Sequence, residues 1–329
     1  MTGGVAVGGR WPYLAPAGVE VTRPDRLTVG VLVTACNVAE HLPQALASIA
    51  AQTRAPEQVV VCDDASDDDV AAAVAPFADR VELVRRAVRG GEGAAKNTAL
   101  AALVTDLVVV LDGDDTMSPH RLEAVAQVAE VRPDLAIVTT AWEEFGPAAD
   151  GSWSLADHFP VQDQRTQILR WNFLPAPALR RRELLAAGGF AEDLRYGPDW
   201  ECYARMFLRG ARAGLVPSPL YGYRRWNGQQ TADRDRVLRG RVEVVRRIAA
   251  QDLLTDADRR TLRGTLAGAR YDRWVARLPQ ADRREAAALL TGAGTSVRRR
   301  VLAGAGLIHP PLAAVLAQRV APGRRVGAR

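Results

Sequence analysis

Apolar positions in the first half of the chain follow two alternating rhythms. "LTVGVLVTA" (27–35), "EQVVVCDDAS" (57–66), "RVELVRR" (80–86), "DLVVVLD" (106–112) and "LAIVTTAW" (135–142) are short runs rich in Val, Leu and Ile. Between them, "AEHLPQALASIAAQT" (39–53), "DDVAAAVAPFA" (68–78), "GEGAAKNTALAALV" (91–104) and "PHRLEAVAQVAEV" (119–131) carry apolar residues at helical spacing. Near-continuous apolar strands separated by helices predict an α/β fold with a parallel sheet covered on both faces. Sheets of that kind bind ligands beyond the carboxyl ends of their strands. The acidic clusters "CDDAS" and "LDGDD" both fall at such ends.

Past residue 142 the alternation gives way to an irregular stretch holding five of the seven tryptophans, from Trp142 to Trp226. Within it, "PDWECYARMFLRG" (198–210) reads as a helix opened by Pro198 and stopped by Gly210. From Gln230 onward the spacing is helical again, in two long segments and then shorter pieces broken by Gly and Pro. The organisation expected is a flexible leader (1–26), an α/β domain (27–227) and a helical C-terminal region (228–329).

A length of 329 residues with 48% hydrophobic and 25% charged residues suits one large α/β unit plus an added element. No apolar run approaches the ~18 residues of a membrane span, and "MTGGVAVGGRWPYLAPAG" lacks the features of a signal peptide. A cytoplasmic location follows as an expectation. Cys36, Cys62 and Cys202 then read as small buried thiols, the less favoured alternative being a cysteine nucleophile. The net charge of +5 conceals an asymmetry: from Gly228 onward 21 arginines face 9 carboxylates, a balance of +12, so the preceding 227 residues carry −7. Of 43 basic residues only Lys96 is a lysine.

Asp112, Asp114 and Asp115 place three carboxylates within four positions, where they repel one another. Such a cluster suits a divalent cation beneath a phosphorylated ligand, phosphoryl transfer through an aspartate, or a solvated turn capping the helix at Ser118–Pro119. Asp112, Asp114 and Thr116 fit the D-x-D-x-T of haloacid-dehalogenase-type phosphatases. In those enzymes, however, the motif ends the first strand and a lysine follows it. Here it ends the fourth strand and no lysine follows. "GGEGAAK" lacks the spacing and early position of a dinucleotide-binding glycine turn.

Five segments in order join the remaining pieces: "VGVLVTACNVAEHLPQALASIAAQT", "VVVCDDASDDD", "RGGEGAAKNTALA", "VVVLDGDD" and "GGFAEDLRYGPDWECYARMFLRGARAGLVPSPLYGYR". Together they resemble the family 2 inverting glycosyltransferases of GT-A fold over about 200 residues. The resemblance implies an α/β GT-A domain with a mostly parallel sheet, and a sugar transfer from a nucleoside-diphosphate sugar, most commonly a UDP-sugar, to an acceptor hydroxyl. The acceptor would be a glycan precursor, natural product or peptide.

On the same resemblance, Thr34, Ala35 and Asn37 frame the base, Asp63 and Asp64 accept hydrogen bonds from base or ribose, and Asp112 with Gly113 meets the ribose. Lys96, where the family more often has arginine, neutralises phosphate charge or holds an acidic neighbour. Asp114 binds Mg²⁺ or Mn²⁺, with Asp115 behind it or capping, and Asp199 is the general base. Two positions depart from the pattern. Pro198 stands where Glu is common, and the family's Y-R-x-H reads Tyr223-Arg224-Arg225-Trp226, so a histidine serving metal or phosphate is missing. Arg224 and Arg225 are expected to supply positive charge in its place, and Trp200 and Trp226 to stack on the acceptor. A non-catalytic nucleotide-sugar-binding module is the alternative. The Arg-rich tail 295–329 suggests peripheral contact with an anionic membrane surface or self-association; nothing points to nucleic acid.

Overall fold

The computed structural model describes residues 11–149 and 155–277, with short pieces at 290–291 and 295–296. The tail expected to meet a membrane therefore lies outside the described residues except for Thr295 and Ser296. The chain divides into two compact units. One runs to Ile168 and resumes over Phe173–Asn227; the other takes Leu169–Asn172 and the chain from Gly228.

In the first unit the elements run β1 (Val29–Ala35), α1 (Leu42–Ala50), β2 (Gln58–Asp63), α2 (Val70–Val74), β3 (Glu82–Arg85), α3 (Glu92–Ala102) and β4 (Leu107–Asp112). There follow β5 (Thr116–Met117), α4 (Arg121–Val131), β6 (Ile137–Phe145), α5 (Gln164–Ile168), β7 (Ala178–Arg180), α6 (Arg181–Ala186), α7 (Pro198–Leu208) and β8 (Ala213–Arg224). The strands form one sheet in the order β3-β2-β1-β4-β7-β6-β8-β5. β1, β2 and β4 are buried along nearly their whole length, as apolar runs covered on both faces must be. The order reverses at β1, whose carboxyl end lies between those of β2 and β4.

The sheet is mixed rather than wholly parallel. β7 enters antiparallel between β4 and β6, pairing Leu107 with Arg180 and Ile137 with Leu179. Three residues cannot display a period, so this strand left no trace in the pattern. β8 runs parallel to β6 with register shifts between Thr140 and Trp142, opposite Val216–Tyr221. Pro217 and Pro219 fall in that irregular stretch, where a missing N–H costs no regular ladder bond.

Part of the expected leader is built into this unit. Tyr13 is 4% exposed, Leu14 exchanges both backbone hydrogen bonds with Leu215 at 2.8 Å, and Val21 N donates to Val131 O at 2.9 Å. Arg132 donates to Pro16 O at 2.9 Å and holds Asp134 in a two-pronged pair, each bond 2.8 Å. Arg212 adds a bond to Asp134 at 2.7 Å and donates to Ala17 O. Residues 11–21 therefore form a strap, a correction to the flexible segment expected there.

In the second unit α8 (Arg234–Ala249) and α9 (Asp256–Ala276) pack against each other. Asp233 caps α8 by accepting from Arg236 N at 3.0 Å, and Thr255 with Asp258 forms a reciprocal capping box on α9. Their apolar stripes, including Val237, Val244, Ile248, Leu262 and Trp274, are buried. Among the described residues no helix is long and apolar enough to cross a membrane.

Candidate active site

The ends of β1 and β4 meet side by side, Thr34 paired with Asp112. Thr34 Oγ1 donates to Asp112 Oδ1 at 3.2 Å, and Gly113 N donates to Thr34 O at 2.9 Å. A Cβ on residue 113 would lie 2.7 Å from that carbonyl, so only glycine lets the chain turn so close to β1.

The three carboxylates of the cluster separate into three environments. Asp115 is 1% exposed and accepts from the Tyr221 hydroxyl and from Arg224 N, the latter at 2.7 Å. Burial, then the neighbouring Asp114 and Asp112, pushes its carboxyl well above the ordinary range. It therefore ties β8 to the acidic loop. Asp114 is half-buried, and burial and then Asp112 raise its carboxyl too. Its Oδ2 accepts from Trp226 Nε1 at 2.8 Å. Asp112 keeps a side chain 40% exposed and approaches Lys96 Nζ at 3.7 Å.

Arg224 is largely spent within the fold. Nε donates to Asp114 O at 2.6 Å, Nη2 to Gln44 Oε1 at 2.6 Å, and its guanidinium stacks 4.5 Å from the Phe145 ring. Arg225 lies 3.8 Å from Glu144 Oε2 and 5.8 Å from the Tyr223 ring.

Lys96 is 2% exposed on α3 and forms its closest ion pair with Glu92. Burial alone would lower its pKa, but Glu92, Asp112 and Asp199 together hold the ammonium well above its ordinary value. Glu92 is raised by burial, against the pull of Lys96, and further by Asp199 and Asp112. The field of Asp199 thus reaches the same cluster that Asp112 joins. The lone lysine thus stands 3.7 Å from the end of β4 and within the field of the start of α7.

Asp63 and Asp64 depart from the ligand-facing role expected of them. Asp63 is 1% exposed and accepts from Arg85 and from Ser66 N at 2.9 Å. Asp64, 2% exposed, accepts from Gly90 N at 2.9 Å and Gly91 N at 2.6 Å and pairs with Arg86 at 3.0 Å. It clamps the glycine turn that opens α3, where Gly91 has φ +91°. Ala35 is 1% exposed, and its carbonyl accepts from Asp64 N at 2.9 Å. Asn37, at φ +56°, locks onto the β2–α2 loop by accepting from Asp67 N at 2.8 Å and donating its own N–H to Ser66 Oγ at 3.1 Å.

Asn97, which the sequence reading passed over, sets the other side of the site. Its amide accepts from Phe190 N at 2.9 Å and donates to Phe190 O at 2.8 Å, as a strand partner would. Gly189 has φ +67°, and a Cβ there would lie 2.7 Å from Asn97 Oδ1. The pairing of "KN" with "GGF" was the available signal. Behind this loop Gly197, at φ +63°, and Pro198 start α7 and set Asp199 in its first turn. Trp200 is 5% exposed and donates Nε1 to Ile168 O at 2.7 Å. It belongs to the core, which overturns its expected stacking on an acceptor. Of the three thiols expected to be buried, Cys62 and Cys202 are, and burial pushes them up to about 11 and about 12. Cys36 is exposed, a correction to that expectation, and its thiol too is raised, chiefly by partial burial. None of the three therefore tends toward the thiolate.

A divalent cation fits the donors present. Asp112 and Asp114 form a repelling, partly desolvated pair that positive charge would relieve. Among the described residues no group of three or more His, Cys, Asp or Glu side chains is disposed to hold a metal. Carboxylate oxygens such as these are what Mg²⁺ or Mn²⁺ takes from a protein, one or two of them together with substrate phosphates.

Residues 30–189 match the model described as "Glycosyl transferase family 2". The succinoglycan biosynthesis protein ExoU of Rhizobium meliloti (strain 1021) is 31% identical over 211 residues, 59% of this chain and 60% of that protein. The chain thus spans about 60% of the length of ExoU, and only 17% of the O-antigen biosynthesis protein RfbC of Myxococcus xanthus, to which it is 30% identical over 224 residues. Among solved structures, S. aureus TarS 1-349 in complex with UDP-GlcNAc superposes with a TM-score of 0.63 at 15% identity, covering 90% of this chain and 93% of that one. The mannosyltransferase PcManGT from Pyrobaculum calidifontis, in complex with GDP-Man and Mn²⁺, gives 0.57 at 21% identity, covering 92% and 91%. Over residues 30–189, and on a GT-A fold, this chain belongs to glycosyl transferase family 2.

Proposed function

We propose that the protein transfers a sugar from a nucleoside-diphosphate sugar to an acceptor hydroxyl with inversion at the anomeric carbon. The observation that carries this reading is the buried Lys96, 3.7 Å from Asp112 on the proposed donor side and within the field of Asp199 on the proposed acceptor side. Asp199 takes the acceptor hydroxyl's proton as its oxygen attacks the anomeric carbon. The bond to the diphosphate breaks on the opposite face, and its electron pair leaves with the phosphate oxygen. Asp114 would hold a divalent cation, which when bound would supply Lewis-acid stabilisation of that departing charge.

The turn at Thr34–Asn37 carries the base, and Asp112 with Gly113 meets the ribose. Lys96 balances acid within the site rather than touching phosphate directly, because it is already enclosed by Glu92 and Asp112. Arg225, the less committed of the two arginines, is the residue assigned to phosphate. UDP is the nucleotide proposed, in keeping with the UDP-GlcNAc of one structural neighbour, and the GDP-Man of another makes GDP the first competitor. The acceptor is a hydroxyl of a glycan precursor, in keeping with the succinoglycan and O-antigen relatives.

A second reading, nucleotide-sugar binding without transfer, draws on Trp226 standing where the family pattern has a histidine. Nucleoside diphosphate release from a panel of UDP-, GDP- and dTDP-sugars with Mn²⁺ separates the two. Turnover of one donor supports the enzyme and names the nucleotide, whereas saturable binding without release supports the module. Peripheral attachment through 295–329 is proposed alongside, in a cytoplasmic setting. Co-sedimentation with anionic but not neutral liposomes, lost on removing that segment, is the outcome it requires.

A further inference from the structure

The C-terminal end of β8 leads into Trp226, a residue the transfer mechanism does not use. Its indole Nε1 donates to Asp114 Oδ2 at 2.8 Å. Its ring meets the His41 imidazole edge to face, with ring centroids 4.6 Å apart and planes at 79°. His41 precedes α1, and its side chain does not cap that helix. Its Nε2 is buried and has no hydrogen-bond partner among the described residues.

A half-buried imidazole that neither caps a helix nor satisfies its buried nitrogen needs another reason for its position. The contact it does make is with the indole that holds Asp114. The backbone of the same residue is held as well, because Arg224 grips the Asp114 main-chain carbonyl and Gln44 of α1 together. α1 and the end of β8 therefore close on Asp114 through two parallel links. One runs through Arg224 to the backbone, and the other through His41 and Trp226 to the carboxylate.

We infer that Trp226, backed by His41, is a positioning residue that fixes the Asp114 carboxylate for a divalent cation. With the indole N–H donated to Oδ2, the carboxylate would meet the ion through its remaining lone pairs. A carboxylate that must ligate a metal gains from such a fixed donor, because the rotamer is set before the ion arrives, and losing a partner of this kind typically weakens metal binding by about 10–100-fold. An indole cannot ligate a metal, so this chain keeps the orienting donor at a position where the family pattern has a possible ligand. The inference rests on the cation-dependent reading above and reassigns Trp226 from the acceptor to the donor side.

The test is Mn²⁺ affinity of the full chain in saturating UDP, read by the electron paramagnetic resonance of free Mn²⁺, beside thermal melts. Trp226→Phe keeps the ring and removes the N–H; it should weaken Mn²⁺ binding by about 10–100-fold with a near-wild-type Tm. His41→Ala should weaken it less. The double variant should bind no more weakly than Trp226→Phe, because the two residues act through one bond. Affinity within about two-fold of wild type in Trp226→Phe overturns the inference while leaving the cation reading intact. Failure of wild type to bind Mn²⁺ at all removes both. Should Trp226→Phe not fold, His41→Ala decides: weaker binding supports the link and wild-type affinity overturns it.

Discussion

Asp199 stands in the first turn of α7, where any carboxylate is favoured by the helix dipole. A purely structural acid there contributes about 1 kcal/mol or less, whereas loss of a general base slows transfer by ~10²–10⁴-fold. Asp199→Asn is expected to melt near wild type, bind donor, and transfer at least ~100-fold more slowly. Transfer within a few-fold of wild type would move the base elsewhere, with Asp193 the next residue to test. Asp114→Ala should abolish Mn²⁺-stimulated turnover while the fold survives, and full wild-type activity in excess chelator would refute the cation dependence behind it. Asp112 and Asp114 were legible because carboxylates crowd together only when something offsets their repulsion. The bracing role of Asp115 was not, because its partners Tyr221 and Arg224 lie 106 and 109 positions away. Trp200 misled for a related reason: a tryptophan's chemistry serves a core and a sugar-binding face equally, and only burial tells them apart.

Among the elements, β1, β2 and β4 declared themselves because strands covered on both faces must be apolar throughout. β5 and β7 have two and three residues, too few for a period, and the prolines in β8 imitate a loop. The loop before α7 is held from α3 by Asn97, which replaces a strand's two hydrogen bonds with one amide. Asn97→Ala strands the Phe190 N–H and carbonyl in a part-buried place, at about 1–3 kcal/mol for an unsatisfied group. We expect a Tm lower by several degrees together with slower transfer, since the loop places Asp199. Unchanged melting would show that water replaces the amide at no cost.

For the molecule as a whole, the strap at residues 11–21 gives the first unit an acid-sensitive fastening. Burial would raise the Asp134 carboxyl, yet Arg132 and Arg212 outweigh it and hold it below its ordinary value. A lowered folded pKa means that the stabilisation is complete above the unfolded value of about 4 and is lost as pH falls through the folded value. Asp134→Asn should therefore be less stable at neutral pH and show a shallower loss below about pH 4, read from urea midpoints across that range. An acid limb identical to wild type would place the sensitivity in other carboxylates. A different consequence follows from Lys96, the one lysine of the chain, being enclosed at 2% exposure. Every other side-chain cation of fixed charge is a guanidinium, which stays charged at any pH the fold survives. Reagents and modifying enzymes that seek a lysine amine therefore find no accessible side chain on the folded protein. Lysine acylation cannot retune its surface charge, and an acyl adduct on Lys96 becomes a probe of unfolding, because that amine reacts only when the centre of the site has opened.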